Sequence, residues 1–271
     1  MARVIVITSG KGGVGKTTTT SNLGMALARL EHNTLLIDAD IGLRNLDLLL
    51  GLENRIIYTG VDVLNKTCRL EQALIQDKRQ QKLTFFPLSS SQSKTPITKS
   101  QIQELINLVE EKYDFILIDS PAGIDEGFQT ALEPANEALI IVTPEVPSIR
   151  DADKVIGILL ANGIKNNKLV INRIRPQMVK SDDMMSVSDV KNILGIPILG
   201  IIPDDEQVII ASNRGEPLVL EDNLSLPGLA FENAARRLDG QIVEFLDLEK
   251  LTTNPVKRML GNFLTRRGQK T

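Results

Sequence analysis

The 271-residue sequence predicts an α/β protein: a doubly wound, mostly parallel sheet with helices on both faces, followed by a C-terminal amphipathic helix. Three observations predict it. Short runs of β-branched and aliphatic residues recur, with longer stretches between them that suit crossover helices. The runs are apolar throughout, as in strands buried on both faces. Polar motifs cluster just after several runs, at what would be the carboxyl ends of parallel strands, where such sheets bind ligands.

Taken in order, Val4 to Thr8 is the first predicted strand, and the Gly-rich segment after it leads into a helix over Gly15 to Leu30. Thr34 to Asp38 and Leu83 to Pro87 follow as strands, then a helix over Lys99 to Lys112 and the strand Phe115 to Asp119. Ala138 to Thr143, Leu169 to Asn172 and Ile198 to Ile202 complete the strands, with helices over Ser148 to Asn162 and Ser186 to Leu194 between them. After Ile202 come Pro203-Asp204-Asp205, a short helix, and a longer helical segment from about Ser225 to Lys250. No Pro/Gly/Ser-rich linker divides residues 1–250, which read as one domain. Residues 254–271 differ in composition from everything before them.

Composition excludes several chemistries. The 42% hydrophobic content supplies a substantial core. Cys68 is the only cysteine and His32 the only histidine, so the chain builds neither a disulfide nor a Cys/His zinc site of its own. Cys68 reads as a packing residue and His32 as part of a turn, which disfavours a Ser/His/Asp or Cys/His arrangement. The net charge of −3 argues against a protein that coats nucleic acid over its whole surface. No secretory leader pattern opens the sequence, and no run of about eighteen apolar residues suggests a membrane span. A reducing compartment is the expectation.

Gly10-Lys11-Gly12-Gly13-Val14-Gly15-Lys16-Thr17 matches the spacing G-x-x-x-x-G-K-[ST] between a predicted strand and a predicted helix. Glycines let backbone N–H groups close around phosphates, and the helix presents the positive end of its dipole. Lys16 is then the ligand of the outer phosphates and the Thr17 hydroxyl a ligand for Mg²⁺. A nucleotide hydrolase also needs a carboxylate beside the metal and a group to position water. Asp119 ends an apolar strand and suits the metal side. Asp38 and Asp40 end the neighbouring strand; one would reach the metal shell and the other orient water, or both are simply loop carboxylates. Lys11 is an extra lysine with no duty in a loop of this kind.

GKGGVGKT with its early lysine, DAD running into IGLRNLDLLLG, and DSPAG resemble the deviant Walker A ATPases of the MinD/ParA family. PEVPSIRDAD from Pro144 to Asp153, SNRGEP from Ser212 to Pro217 and the basic tail resemble its MinD branch. The resemblance implies a P-loop NTPase fold, ATP and Mg²⁺ as cofactors, and an ATP-dependent homodimer in which Lys11 reaches the partner's nucleotide. It also implies that Gly10, Gly12, Gly13, Val14, Gly15, Lys16, Thr17 and Thr18 hold the nucleotide, with Thr17, Asp38 and Asp119 on the metal side. Asp40 is implied in positioning water, and Asn172, Arg173 and Pro203 in holding adenine. The implied partners are a MinC-like division inhibitor and a MinE-like activator, with Ser148, Arg150, Asp151 and Asp153 in the contact region. The iron-protein relatives need cluster cysteines that this chain lacks.

In the tail, Val256, Met259, Leu260, Phe263 and Leu264 form one apolar stripe at helical spacing, and Lys257, Arg258 and Arg266 lie mostly off it. The tail carries five basic residues and no acidic one, leaving the rest of the chain at −8. This is the pattern of a helix lying in an anionic membrane interface, and a terminal helix docked on the body is the bland alternative. One such tail binds weakly and two on a dimer bind together, so ATP would control attachment through dimerisation. The expected site of action is the inner face of the cell membrane, or the plastid inner envelope. A ParA-like DNA- or cargo-partitioning ATPase is the alternative; it shares the loop and Lys11 but has no use for the apolar stripe. A regulatory protein that holds ATP without hydrolysing it is a further one.

Overall fold

The structure, a computed structural model, describes residues 1–40, 45–89 and 97–248. Its elements in chain order are β1 (Arg3–Thr8), α1 (Lys16–Arg29), β2 (Thr34–Asp38), α2 (Leu46–Leu49), α3 (Gly60–Leu64), α4 (Leu70–Ala73), β3 (Ile75–Gln76) and β4 (Leu83–Pro87). There follow α5 (Lys99–Asn107), β5 (Phe115–Asp119), α6 (Glu126–Leu132), β6 (Glu137–Val142), α7 (Val146–Ala161) and β7 (Asn166–Ile174). The last are α8 (Pro176–Lys180), α9 (Val187–Leu194), β8 (Ile198–Pro203), α10 (Glu206–Arg214) and α11 (Leu226–Leu238). The eight strands form one sheet in the order β3-β4-β2-β5-β1-β6-β7-β8, parallel except for β3.

Alternation along each strand splits the apolar residues between two cores, one on each face of the sheet. Val4 and Val6 of β1 join Leu35 and Ile37 of β2 in one core, closed by α5, α6, α7 and α9 through Leu105, Phe128, Val155 and Val190. Ile5 and Ile7 join Leu36 in the other, closed by α1, α2 and α11 through Leu23, Leu50 and Phe231. Both faces are covered, which is why the strands are apolar throughout. Several of the helices carry a side-chain start signal. Thr98 and Ser186 accept N3 amide hydrogens in capping boxes at α5 and α9, and the Asp205 carboxylate accepts from Gln207 N–H at α10.

The structure departs from the sequence expectations in several places, among them α5, which ends at Asn107 and not at the expected Lys112. The helical segment expected from Ser225 to Lys250 stops at Leu238, because Asp239 caps it and Gly240 turns left-handed at φ 94°. β7 runs from Asn166 to Ile174, beyond the expected Leu169 to Asn172, because the polar Asn166, Asn167 and Lys168 continue its pairing with β6. β3 and the one- or two-turn helices α2, α3, α4, α6 and α8 are too short for periodicity to reveal. The expected membrane residues Val256, Lys257, Met259, Leu260, Phe263 and Leu264 lie outside the described residues. No helix among the described residues is long and apolar enough to cross a membrane.

Candidate functional site

Strands β2 to β5 lie on one side of β1 and β6 to β8 on the other, so the loop after β1 sits where the strand order switches. Gly15, the N-cap of α1, has φ 99°, and no side chain caps the helix start. The first-turn N–H groups are thus presented to the loop in the manner of an anion site. A Cβ on Gly15 would stand 2.3 Å from Asn172 Nδ2. Only glycine serves there. The Asn172 amide comes that close because it donates to the Val14 carbonyl at 2.7 Å, while its own oxygen accepts from Arg173 N–H at 3.0 Å. The end of β7 therefore props the phosphate loop from beneath. Arg173 is exposed with φ 58°, and Pro203 ends the adjacent β8 in register with Ile174.

Lys16 points back across the loop and is only 8% exposed, its Nζ donating to Ser9 Oγ at 3.2 Å. Burial lowers its pKa, and Asp119 and Asp40 oppose that shift. A buried ammonium in this setting suits phosphate. Asp38 and Asp119 are register partners on β2 and β5, so two strand ends set two carboxylates side by side. Burial, then the charge of Asp119, pushes Asp38 up to about 8. Burial pushes Asp119 up to about 6 against the hydroxyls of Thr17 and Thr20 and the Lys16 charge. Both oxygens of Asp38 accept backbone N–H groups, from Asp40 at 3.0 Å and from Leu46 at 3.3 Å.

Carboxylates that resist ionising beside one another, with a hydroxyl at hand, are hard oxygen donors suited to Mg²⁺. No three His, Cys, Asp or Glu side chains among the described residues form a ready-made cage. That agrees with the habit of Mg²⁺, which takes one or two protein oxygens and completes its shell with water and phosphate. Thr20, absent from the expected set, donates to Asp119 Oδ1 at 3.2 Å. It lies three residues beyond Thr17 on one helix face, a spacing visible in the sequence.

The remaining expected residues divide. Gly10 packs against α7: a Cβ there would stand 2.6 Å from the Asp151 carbonyl oxygen. Gly12 and Gly13 are exposed at the rim of the loop, and Thr18 lies a turn up α1 with its carbonyl accepting from Ser21 and Asn22. Lys11 does not face its own loop; its Nζ donates to Glu145 Oε2 at 2.8 Å, both side chains about half exposed. Arg150 and Asp153 are exposed on α7, with Asp151 partly so. Ser148 needs correction as a surface contact: it is buried, and its hydroxyl accepts from Thr143 N–H at 3.1 Å, anchoring the start of α7.

A phosphate loop at a switch point, a buried lysine and paired strand-end carboxylates define a P-loop nucleotide-binding protein. The family model for the CobQ/CobB/MinD/ParA nucleotide-binding domain matches residues 5–218. A septum site-determining protein MinD of Emiliania huxleyi is 68% identical over 267 residues, covering 98% of each chain. Among solved structures, the MinC:MinD cell division complex of Aquifex aeolicus matches at 49% identity and TM-score 0.83, over 90% of this chain and 98% of that one. The septum site-determining MinD of Pyrococcus horikoshii, complexed with Mg-ADP, matches at 30% identity and TM-score 0.79, over 88% and 96%. The chain belongs to the septum site-determining MinD proteins within the CobQ/CobB/MinD/ParA nucleotide-binding family.

Proposed function

We propose that this chain is an ATPase that places the division site by cycling between a free ADP state and a membrane-held ATP dimer. The observation that carries the enzymatic part is the buried Lys16 beside Asp38, Asp40 and Asp119 at the mouth of the phosphate loop. Mg²⁺, held through Thr17, Asp119 and Asp38, supplies charge neutralisation to the phosphates. Lys16 binds the outer phosphates, Asp40 orients the attacking water, and Asn172 keeps the loop carbonyl of Val14 turned away from the phosphate cradle. Arg173 and Pro203, at the ends of β7 and β8, flank the adenine.

Lys11 serves a second copy of the chain, adding positive charge where the transition state spreads negative charge. Its bond to Glu145 is no obstacle. A pair this exposed is worth at most about 1 kcal/mol. The dimer brings two tails to the membrane, through the apolar stripe from Val256 to Leu264 and the flanking cations. A MinC-like inhibitor docks on the dimer and a MinE-like activator stimulates hydrolysis, with Arg150, Asp151 and Asp153 at the exposed edge of α7. Sedimentation with anionic liposomes tests the cycle. The full chain pellets with ATP and stays soluble with ADP, and a chain ending at Asn254 stays soluble with both; equal pelleting of the full chain in ATP and ADP overturns the reading.

A further inference from the structure

At the sheet edge, the turn between β3 and β4 carries Asp77 and Arg79. Asp77 is 1% exposed, and its carboxylate grips the Arg79 guanidinium at two points, from Nε at 3.0 Å and Nη2 at 2.6 Å. The same carboxylate accepts Arg79 N–H at 2.7 Å. That grip pushes the Arg79 pKa up further, so the charge is permanent. The free edge of the fork then does something specific. Nη2 donates to the Leu50 carbonyl at 2.6 Å and Nη1 to the Gly215 carbonyl at 3.1 Å.

Those carbonyls cap two different helices. Leu50 closes α2 and Gly215 closes α10, each a helix end with negative dipole character and unpaired carbonyls. The two ends also touch through backbone alone: a Cβ on Gly215 would stand 2.8 Å from Leu48 O and 2.8 Å from Gly51 Cα. One guanidinium therefore welds α2 to α10, a fork geometry that lysine cannot reproduce.

Each welded helix leads to one side of the nucleotide site. The first residue of α2, Leu46, donates its N–H to Asp38 on the metal side. α10 begins three residues beyond Pro203, on the base side, and Asp204 N–H ties that junction to Ile174 O of β7 at 3.0 Å.

We infer that Arg79, held by Asp77, is a positioning residue of the nucleotide site: by joining the carboxyl ends of α2 and α10 it keeps the metal-side carboxylate and the base-side junction in register. The inference rests on the nucleotide-site reading above. Calorimetric titration of the full chain with ADP and with GDP, each with Mg²⁺ and with EDTA, tests it in Arg79→Met, Arg79→Lys and Asp77→Asn at a temperature where circular dichroism shows each folded.

Arg79→Met is expected to weaken Mg-ADP binding about tenfold, the scale on which supporting partners of a metal site act. It should also shrink the gain from Mg²⁺ and the preference for ADP over GDP. Arg79→Lys keeps the charge without the fork and recovers only part of each loss. If folded variants bind both nucleotides as the parent does, while melting earlier, the pair is a staple of the fold alone and the inference fails. Should Arg79→Met not fold, Arg79→Lys and Asp77→Asn decide on the same readouts. Failure of the unaltered chain to bind Mg-ADP overturns the nucleotide-site reading and this inference with it.

Discussion

Asn172 and the carboxylate pair show how single residues set the chemistry. Replacing Asn172 with Ala removes the donor to Val14 O, at a cost of about 1 kcal/mol in stability. The loop then loses its prop, and Mg-ADP affinity should fall several-fold by calorimetry; an unchanged affinity would show that the loop holds its shape unaided. Asp38, at about 8, and Asp119, at about 6, titrate above their unfolded values, so the fold holds extra protons over that range. The nucleotide-free protein therefore loses stability as pH rises from about 4, the unfolded carboxyl value, through those folded values. A bound dication favours the carboxylates. The rise in melting temperature caused by Mg-ADP should thus be larger at pH 8 than at pH 6, relative to ADP with EDTA; an equal or smaller rise at pH 8 would refute the coupling.

Among the elements, α11 has the least visible part in function and the most in support. It packs on both α1, which carries Lys16 and Thr17, and β8, with Phe231 1% exposed in the core beneath α1. Phe231→Ala should cost about 3–5 kcal/mol, read as a lowered urea midpoint, with folded molecules still binding Mg-ADP. A midpoint within experimental error of the parent would mean that the second core repacks around the cavity. α7 contrasts with it: its second turn rests on the loop at Gly10, and Glu145 just before it pairs with Lys11. The run PEVPSIRDAD was legible as a motif, but nothing in its order of residues says that Ser148 faces inward. That depends on where α7 lands on β6.

For the whole molecule, the proposed cycle joins the charge division between body and tail and the loop lysine in one switch. Lys11→Ala leaves the fold intact, because its pair with Glu145 is exposed, and should abolish both ATP-dependent dimerisation and liposome pelleting. Dimers by light scattering in that variant, with ATP, would show that Lys11 does not act across the interface. The substitution separates folding from switching.

Sequence by itself determined the doubly wound sheet, the phosphate loop and the strand-end carboxylates. Those features are local: strand period, glycine spacing and a terminal Asp can each be read within a dozen residues. Tertiary structure alone decided what meets across the chain. Asn172 reaches Val14 over 158 positions and Lys11 reaches Glu145 over 134, and Arg79 joins helix ends that lie 29 positions before it and 136 after it. No local pattern encodes such contacts, since they follow from strand order and from where each helix crosses the sheet.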